Sequence, residues 1–336
     1  MDNMSKDKSG VSLDCGTMNF VSAKKINGKI QIFRIRNAFI DLPIEHKRML
    51  KLSNTSFVEL EGKLLVLGDQ ALDTANLFNR EARRPMSAGI IAPGEIEAQQ
   101  VISIMMKKIL GDPKVENERC CYSVPASAVD VQNSDITYHS LILKKIINEL
   151  GFSPEPANEA LAVILSELAS DNFSGIGISY GAGMTNVCLA YNTMSALEFS
   201  LSKAGDWADE QSAKAVGLTK AKMTSIKEDN IDISHPQNRN QEALSLYIQT
   251  LIDYSIDGII KHFHKVRSDI MVPKPVPIVI SGGTSLAGGF LEKFKERFNE
   301  KKSNFPISIS EIKQAKDPLF AVSTGLLTLA QMDDEE

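Results

Sequence analysis

The sequence predicts an α/β protein made of two duplicated domains. The chain has 336 residues, which is too long for one typical domain and suits two. A strand, a glycine turn and a second strand open the chain near residue 10, and the same pattern returns near residue 175. Buried strands and amphipathic helices follow each opening, so each half is expected to mix both kinds of element.

The composition excludes several classes of protein. A hydrophobic fraction of 43% and a charged fraction of 24% argue against a disordered, collagen-like or disulfide-dense chain. The net charge of -5 argues against nucleic acid as the main partner, because such proteins usually carry a basic excess. The four cysteines have no zinc-binding spacing and are interpreted as small buried hydrophobic residues: Cys15, Cys120, Cys121 and Cys188.

The hydropathy pattern predicts a cytoplasmic protein without direct membrane insertion. No apolar run approaches the roughly 20 residues that span a bilayer. The first residues, MDNMSKDKSG, lack the apolar core of a signal peptide. Residues 1–9 are predicted to form a flexible leader, and residues 331–336 an acidic tail.

The elements of the first half follow from turn signals and periodicity. The segments VSLDCGT, NFVSAKK and KIQIFRIRN predict three linked strands, the last two joined at Asn27-Gly28, a strong hairpin signal. A second hairpin is predicted around Glu61-Gly62. Helical spacing, or a short buried run, then predicts one helix, a strand and two further helices, in the order EIEAQQVISIMMKKIL (helix), ERCCYSVPA (strand), DITYHSLILKKIINELG (helix) and EPANEALAVILSELAS (helix). Pro156 is expected in the first turn of the last helix.

The second half repeats the opening. GIGISYGAGMTNVCLAY predicts strand, glycine turn and strand, with Ser179 at the position that Asp14 has in the first half, and ALEFSLS predicts a third strand. The final unit, PVPIVISGGTSLAGGFLEKFKERF, predicts a buried strand, a glycine turn and a helix from near Ala287. We predict domain I over 10–170 with a small insert at about 33–75, and domain II over 171–330 with a helical insert at about 203–262.

Three glycine turns that follow strands are candidate phosphate sites, because they expose backbone N–H groups. They lie at 16–17, 181–185 and 282–285, and the usual P-loop and G-x-G-x-x-G fingerprints do not occur. Asp14, beside the first turn, would repel phosphate unless a metal lies between, which predicts Mg²⁺ held partly through waters. Glu155 could orient a water for attack on a γ-phosphate, or could simply be an acidic residue favoured in a first helical turn.

Several segments resemble the actin/Hsp70/sugar-kinase ATPase superfamily, and bacterial actins of the MreB/MamK type in particular. LDCGTMN looks like its first phosphate motif, SYGAGMTNV its second, ISGGTSLAGG its adenosine motif and EPANEAL its helix with a catalytic glutamate. LSKAGDWADE and AKDPLFAVSTGLL resemble further segments of bacterial actins, so the likeness runs from about residue 10 to 330. The resemblance implies an actin-like (ribonuclease H-like) ATPase fold with a nucleotide cleft between the two domains.

The resemblance also implies roles for individual residues, with ATP or ADP and Mg²⁺ as cofactors. Asp14 would hold the metal, and Glu155 would polarise the attacking water, with Glu159 as the alternative. Lys227 would lie near the ribose and base. The other implied nucleotide-binding residues are Gly16, Thr17, Met18, Asn19, Gly181, Ala182, Gly183, Met184, Thr185, Gly282, Gly283, Thr284 and Ser285.

Ser179 departs from the family pattern, which has an aspartate at the start of the second phosphate motif. A hydroxyl cannot supply that negative charge, so either the metal depends more on Asp14 or hydrolysis is slow while binding survives. Losing such an orienting group would cost a few kcal/mol of barrier.

The expected function is that of an ATP-binding, slowly hydrolysing bacterial actin that polymerises head-to-tail and positions an organelle or plasmid, with a cargo adaptor as a further partner. The alternative is a non-polymerising scaffold or reactivase of the same fold, and a metabolite kinase is a third reading. Arg80, Arg83 and Arg84 are expected on a solvated face, or else at a filament or partner contact. Trp207 is expected in the core rather than at a contact.

Overall fold

The computed structural model describes residues 9–266 and 272–332. Residues 1–8 of the predicted leader (1–9) and residues 333–336 of the predicted tail (331–336) lie outside the described residues. The strands are β1 (Val11–Cys15), β2 (Asn19–Ile26), β3 (Lys29–Arg36), β4 (Phe39–Pro43), β5 (Phe57–Leu60), β6 (Lys63–Leu67), β7 (Met86–Ser87), β8 (Ile90–Ile91), β9 (Arg119–Val124), β10 (Ser153–Asn158), β11 (Gly175–Tyr180), β12 (Thr185–Tyr191), β13 (Met194–Leu201), β14 (Val276–Ser281) and β15 (Ile309–Gln314). The helices are α1 (Lys47–Leu52), α2 (Asp69–Leu77), α3 (Ala98–Leu110), α4 (Thr137–Glu149), α5 (Glu159–Glu167), α6 (Gly205–Val216), α7 (Lys220–Glu228), α8 (Arg239–Lys265), α9 (Phe290–Lys301) and α10 (Ala321–Ala330).

Two five-stranded sheets have the same topology, which confirms the predicted duplication. The first has the order β10-β9-β1-β2-β3, and the second, written from the equivalent edge, β15-β14-β11-β12-β13. In each sheet an antiparallel meander joins two parallel strands. The register also matches, because Asp14 lies opposite Val21 on β2 and Ser179 lies opposite Asn186 on β12. Asp14 and Ser179 are therefore equivalent positions.

Helices α5 and α10 pack against each other between the two sheets. A β-carbon on Gly325 of α10 would lie 1.8 Å from the carbonyl oxygen of Ala162 on α5. One on Gly177 of β11 would lie 2.2 Å from the carbonyl oxygen of Ala160. These close approaches need glycine, since any side chain would push the layers apart. A small-residue core that includes the thiols of Cys121 and Cys188 fills this layer, and all four cysteines are buried as predicted.

A small insert between β3 and α3 has its own sheet, in the order β4-β6-β5, and its own core with α1 and α2. The predicted hairpin around Glu61-Gly62 joins β5 to β6. The insert begins later than residue 33, because β3 continues to Arg36 as part of the first large sheet. In the second half, helices α6, α7 and α8 occupy the predicted helical insert, and α8 continues to Lys265.

The predicted helix start before Pro156 is wrong. Residues Ser153–Asn158 form β10, and α5 begins only at Glu159. Proline is tolerated there because β10 is an edge strand, paired with β9 alone among the described strands, so missing N–H groups break no ladder on its other side. The side chain of Asn158 then caps α5, accepting hydrogen bonds from the backbone N–H of Ala160 at 2.9 Å and of Leu161 at 3.3 Å.

The helix after the third glycine turn begins at Phe290 rather than near Ala287. A 3₁₀ turn at Gly283–Leu286 follows β14, and Gly289 has a φ of +78° before the helix starts. Within the described ranges, no helix combines the length and apolar character needed to cross a membrane.

Candidate functional site: a cleft between the two sheets

A cavity with a volume of about 420 Å³ lies between the two halves. Residues from the ends of β1, β11 and β14 line it, together with residues from α5 and α7. A concave site of this size fits a small organic ligand. The three predicted glycine turns all reach it.

The first turn joins β1 to β2. A β-carbon on Gly16 would lie 2.8 Å from the carbonyl oxygen of Asn19, so the turn is too tight for a side chain there. Asn37, fully buried just after β3, holds the turn from behind. Its side-chain amide donates to the carbonyl of Gly16 at 3.1 Å, and its backbone N–H donates to that of Met18 at 2.8 Å. Sequence reasoning missed Asn37, because only the tertiary structure brings it to the turn.

The second turn faces the first across the cavity. A β-carbon on Gly183 would lie 2.1 Å from the backbone nitrogen of Gly89 and 2.4 Å from Oγ1 of Thr17. Gly89, in the β7–β8 hairpin, also donates its N–H to Thr17 Oγ1 at 3.1 Å. Thr17 of the first turn and Gly183 of the second turn therefore lie close together, and Gly89 of the hairpin contacts both.

The third turn is tied to the second. Gly282 has a φ of +92°, and a β-carbon there would lie 2.3 Å from the carbonyl oxygen of Tyr180. The hydroxyl of Thr284 donates to the carbonyl of Gly181 at 2.9 Å. Beyond this turn the wall becomes apolar, with Leu286 and Leu319 lining the cavity. That wall offers a surface for a flat aromatic ring beside the polar turns.

Two partly buried carboxylates, Asp14 and Glu159, share the cavity. Burial raises the pKa of Asp14 to about 6, against a hydrogen bond that its Oδ1 accepts from Ser123 Oγ at 2.9 Å. Burial, and then the charge of Asp14, raise the pKa of Glu159 to about 8. Asn186 opposes this by donating from Nδ2 to Glu159 Oε2 at 2.7 Å, and its own Oδ1 accepts from Ser200 Oγ at 2.6 Å. Such a pair favours a bound cation or a retained proton.

The residues of the cavity fit Mg²⁺ only if the ion keeps most of its water ligands. The described part of the chain contains no cluster of three or more His, Cys, Asp or Glu side chains able to hold a metal. Asp14 would therefore supply the protein ligand, with waters and ligand oxygens completing an octahedron, a common arrangement for Mg²⁺. Bound there, the ion would neutralise charge on a phosphate chain.

The structure separates the two glutamates that the sequence proposed for the water-polarising role. Glu159 lines the cavity, whereas Glu155 is not among its described lining residues. Glu155 lies on the edge strand β10, where it forms an ion pair with Arg119. The expectation that Glu155 opens a helix is wrong, because β10 ends only at Asn158.

The other predicted site residues divide in the same way. Thr185 and Ser285 lie outside the described lining, since the Thr185 hydroxyl donates to the carbonyl of Lys203 and that of Ser285 donates to Gly282. The remaining predicted binding residues line the cavity: Gly16, Thr17, Met18, Asn19, Gly181, Ala182, Gly183, Met184, Lys227, Gly282, Gly283 and Thr284. Ser179 lines it as well, and its hydroxyl stands where the first half carries the Asp14 carboxylate.

Ion pairs bridge the two halves around the cavity. Arg36, at the end of β3, donates to Glu228 on α7 at 2.7 Å, and both side chains line the cavity. Arg84 pairs with Asp206 on α6 at 2.8 Å. The sequence offered no signal for these bridges, because they depend on how the two halves sit together.

The predicted arginine cluster does not form a single solvated face. Arg83 pairs with Asp41 at 2.9 Å and with Glu95 at 3.2 Å inside the first half, while Arg84 crosses the cleft. Trp207 packs partly buried against the core of the second half and meets Tyr247 edge-to-face.

This architecture defines the class of protein by its fold: two duplicated α/β halves with a cleft between them form an actin-like fold. Solved structures agree. A MamK double helical filament matches with a TM-score of 0.69 and 18% identity, over 96% of this chain and 99% of that one. MreB5 of Spiroplasma citri bound to ADP matches with a TM-score of 0.65 and 16% identity, over 95% and 94%.

A third solved structure, the ethanolamine utilization protein EutJ from Carboxydothermus hydrogenoformans, matches with a TM-score of 0.55 and 13% identity, over 95% of this chain and 89% of that one. No curated protein matches the sequence. The Volactin family model matches residues 10–330, and the chain belongs to the Volactin family. The resemblance to MreB and MamK inferred from the motifs is confirmed.

Proposed function

We propose that the protein binds ATP with Mg²⁺ in the cleft, between a domain I of residues 10–170 and a domain II of residues 171–330. The observation that carries the proposal is the pair of glycine turns, Gly16–Asn19 and Gly181–Met184, that face each other across one cavity. Backbone N–H groups on both sides suit a phosphate chain. The apolar wall at Leu286 and Leu319 suits a base. The solved relative MreB5 is bound to ADP, which supports the same ligand class here.

We further propose slow hydrolysis, with Glu159 rather than Glu155 as the water-polarising residue. In its carboxylate form Glu159 accepts a proton from a water whose oxygen attacks the γ-phosphorus, while the bond from that phosphorus to the ADP oxygen breaks. Asn186 holds Oε2 of Glu159 and so fixes the direction of the carboxyl. A nearby cation favours the ionised form of a buried carboxyl. Ser179 supplies no charge at the position equivalent to Asp14, which is the reason to expect a slow rate.

Head-to-tail assembly into cytoskeletal filaments in the cytoplasm is the third part of the proposal. A heterologous contact that does not close into a ring produces a filament. ATP that touches both halves would favour the closed shape, and hydrolysis would weaken the contact. Two of the structural relatives are proteins named MamK and MreB5, and the former was solved as a double helical filament. Positioning of an organelle or plasmid, through an adaptor protein, is the cellular role that this proposal implies, without direct nucleic-acid binding or membrane insertion.

Sedimentation tests the proposal. The purified protein is centrifuged without nucleotide and with ADP, ATP or a non-hydrolysable ATP analogue, each with Mg²⁺, and every pellet is imaged by negative-stain electron microscopy. We expect filaments with ATP and with the analogue, and fewer with ADP. Protein that stays in the supernatant in every condition would contradict the filament proposal.

A non-polymerising scaffold or reactivase is the second candidate, and Ser179 is the observation that favours it. A scaffold tolerates a weakened catalytic site as long as the ligand still binds. EutJ, which is named an ethanolamine utilization protein, shares the fold. ATP binding by titration without any pelleted filaments would favour this candidate. Restoring the carboxylate with Ser179→Asp should then accelerate hydrolysis.

A further inference from the structure

The cations that line the cleft have different environments. Three positively charged side chains line it among the described residues: Arg34, Arg36 and Lys227. The two arginines pair with Asp69, and Arg36 pairs also with Glu228. Lys227 is the least exposed of the three, at 10%, and its partner lies in the interior of the second half.

That partner is Asp209 on α6, whose side chain is 0% exposed. Its Oδ2 accepts hydrogen bonds from Lys227 Nζ at 2.7 Å and from Thr224 Oγ1 at 2.8 Å. Its Oδ1 has no hydrogen-bond partner within the described part of the chain. A buried ion pair is weak support for stability in itself, because desolvation of both charges offsets their attraction. The Lys227–Asp209 pair is therefore better explained by a role other than stabilising the fold.

The position of the Lys227 ammonium group indicates what that role is. A β-carbon on Gly205, the first residue of α6, would lie 3.1 Å from Lys227 Nζ and 2.3 Å from Thr284 Oγ1. The backbone N–H of Gly205 donates to the carbonyl of Gly181 at 3.0 Å, and Thr284 donates to the same carbonyl. The ammonium thus lies where the second glycine turn, the third glycine turn and the start of α6 meet.

An ammonium group has three N–H donors, and the protein uses only part of that capacity. Asp209 takes one donor, and the carbonyl of Gly205 lies at 3.4 Å, which is a weak contact. Because Lys227 lines the cavity, its remaining capacity is available to a ligand oxygen.

We propose that Asp209 is a positioning residue: it holds the ammonium of Lys227 at the junction of the two turns so that an N–H faces an oxygen of the bound nucleotide. Asp209 itself does not touch the ligand. A lysine side chain has four rotatable bonds, and one fixed partner removes most of that freedom before the ligand arrives. This inference rests on the proposed function, since it assumes that the ligand of the cleft is a nucleotide.

A double-mutant cycle on ATP affinity, measured by titration calorimetry with Mg²⁺, tests the inference. Asp209→Asn keeps the shape and removes the charge, Lys227→Met removes the donor, and the double variant leaves no uncompensated buried charge. We expect Asp209→Asn to weaken ATP binding roughly tenfold, the scale of one hydrogen bond to a charged group. In the Lys227→Met background the same change should alter affinity less than about twofold, because Asp209 acts only through Lys227.

A structural role would give a different result: Asp209→Asn would lower the thermal midpoint and weaken binding by the same factor in both backgrounds. That outcome would overturn the inference. Lys227→Arg provides a second variant, since it retains a charged partner for Asp209 but moves the donors, and it should fold normally and bind ATP more weakly. Unchanged affinity in a folded Lys227→Arg variant would also overturn it.

Glu210→Gln is the matched control. Glu210 is the next residue of α6, half-exposed, and pairs with Lys214 at 2.6 Å on the outer face. Its replacement should leave ATP affinity unchanged. Wild-type protein that binds no ATP would overturn the proposed function and this inference with it, whereas wild-type binding that survives intact in Asp209→Asn would overturn this inference alone.

Discussion

Replacing Glu159 by glutamine should stabilise the nucleotide-free protein at high pH while it abolishes hydrolysis. Glutamine keeps the shape, and its oxygen can still accept the hydrogen bond from Asn186. What disappears is a partly buried carboxyl whose pKa rises from 4.5 to about 8, first because of desolvation in the cavity and then because of the neighbouring charge of Asp14. Ionising this carboxyl therefore costs more free energy in the folded protein than in the unfolded chain.

The difference between the folded-state and unfolded-state pKa of Glu159 sets how its contribution to the free energy of unfolding changes with pH. Because the folded-state pKa lies above the unfolded value, the contribution of Glu159 to stability is complete below about pH 4.5 and is lost as the pH rises towards 8. A rise of this size corresponds to roughly 4–5 kcal/mol. Relaxation and entering water reduce such penalties, so we expect a gain of about 2 kcal/mol at pH 8. On a chain of this length that raises the midpoint of thermal unfolding by about 3 °C.

The assay is thermal unfolding of wild type and Glu159→Gln from pH 5 to pH 8, with a chelator and without nucleotide. The difference between the two midpoints should grow with pH. Glu155→Gln is the matched control, because Glu155 lies outside the cavity on β10, and its effect should not grow with pH; it should also hydrolyse ATP at the wild-type rate. A Glu159→Gln variant that is less stable than wild type at pH 8, or a difference independent of pH, would refute the reasoning.

Three further changes have expected outcomes. Gly183→Ala places a methyl group 2.1 Å from the backbone nitrogen of Gly89 and should weaken ATP binding at least about tenfold in a calorimetric titration, because one of the facing turns must move; unchanged affinity would contradict the role of that turn. Arg36→Gln removes the bridge to Glu228 across the cleft and should speed release of a fluorescent nucleotide in stopped-flow at low salt, with a smaller effect at high salt; equal acceleration at both salt concentrations would argue against an ionic bridge. Asn158→Ala removes the cap of α5 and should cost about 1 kcal/mol in urea denaturation, and a loss near zero would show that other contacts hold the start of the helix.

Local chemistry made the turns predictable from the sequence. A glycine turn after a buried strand is encoded within a few residues, and the repeat of that pattern predicted a duplication, which the equal strand orders of the two sheets confirm. Gly16, Gly183 and Gly282 all line the cavity for this local reason. The predicted equivalence of Asp14 and Ser179 is also confirmed, because the strand register keeps the same spacing from each glycine turn.

Tertiary context accounts for what the sequence left out or got wrong. Pro156 was expected in the first turn of a helix, but it lies on an edge strand, where a missing N–H costs little. Because the helix begins only at Glu159, the glutamate that lines the cavity is Glu159 and not Glu155. Asn37 reaches the first turn from beyond the next two strands. The partner of Arg84 lies in the other half of the chain, so no local pattern could reveal it.

The central claim is that the cleft between the halves binds one nucleotide. Isothermal titration of the wild-type protein with ATP in the presence of Mg²⁺ measures this most directly. The account predicts saturable binding of one ATP per chain, with ADP competing for the same site. No binding of either nucleotide by folded protein, or binding that persists undiminished in Gly183→Ala, would contradict it.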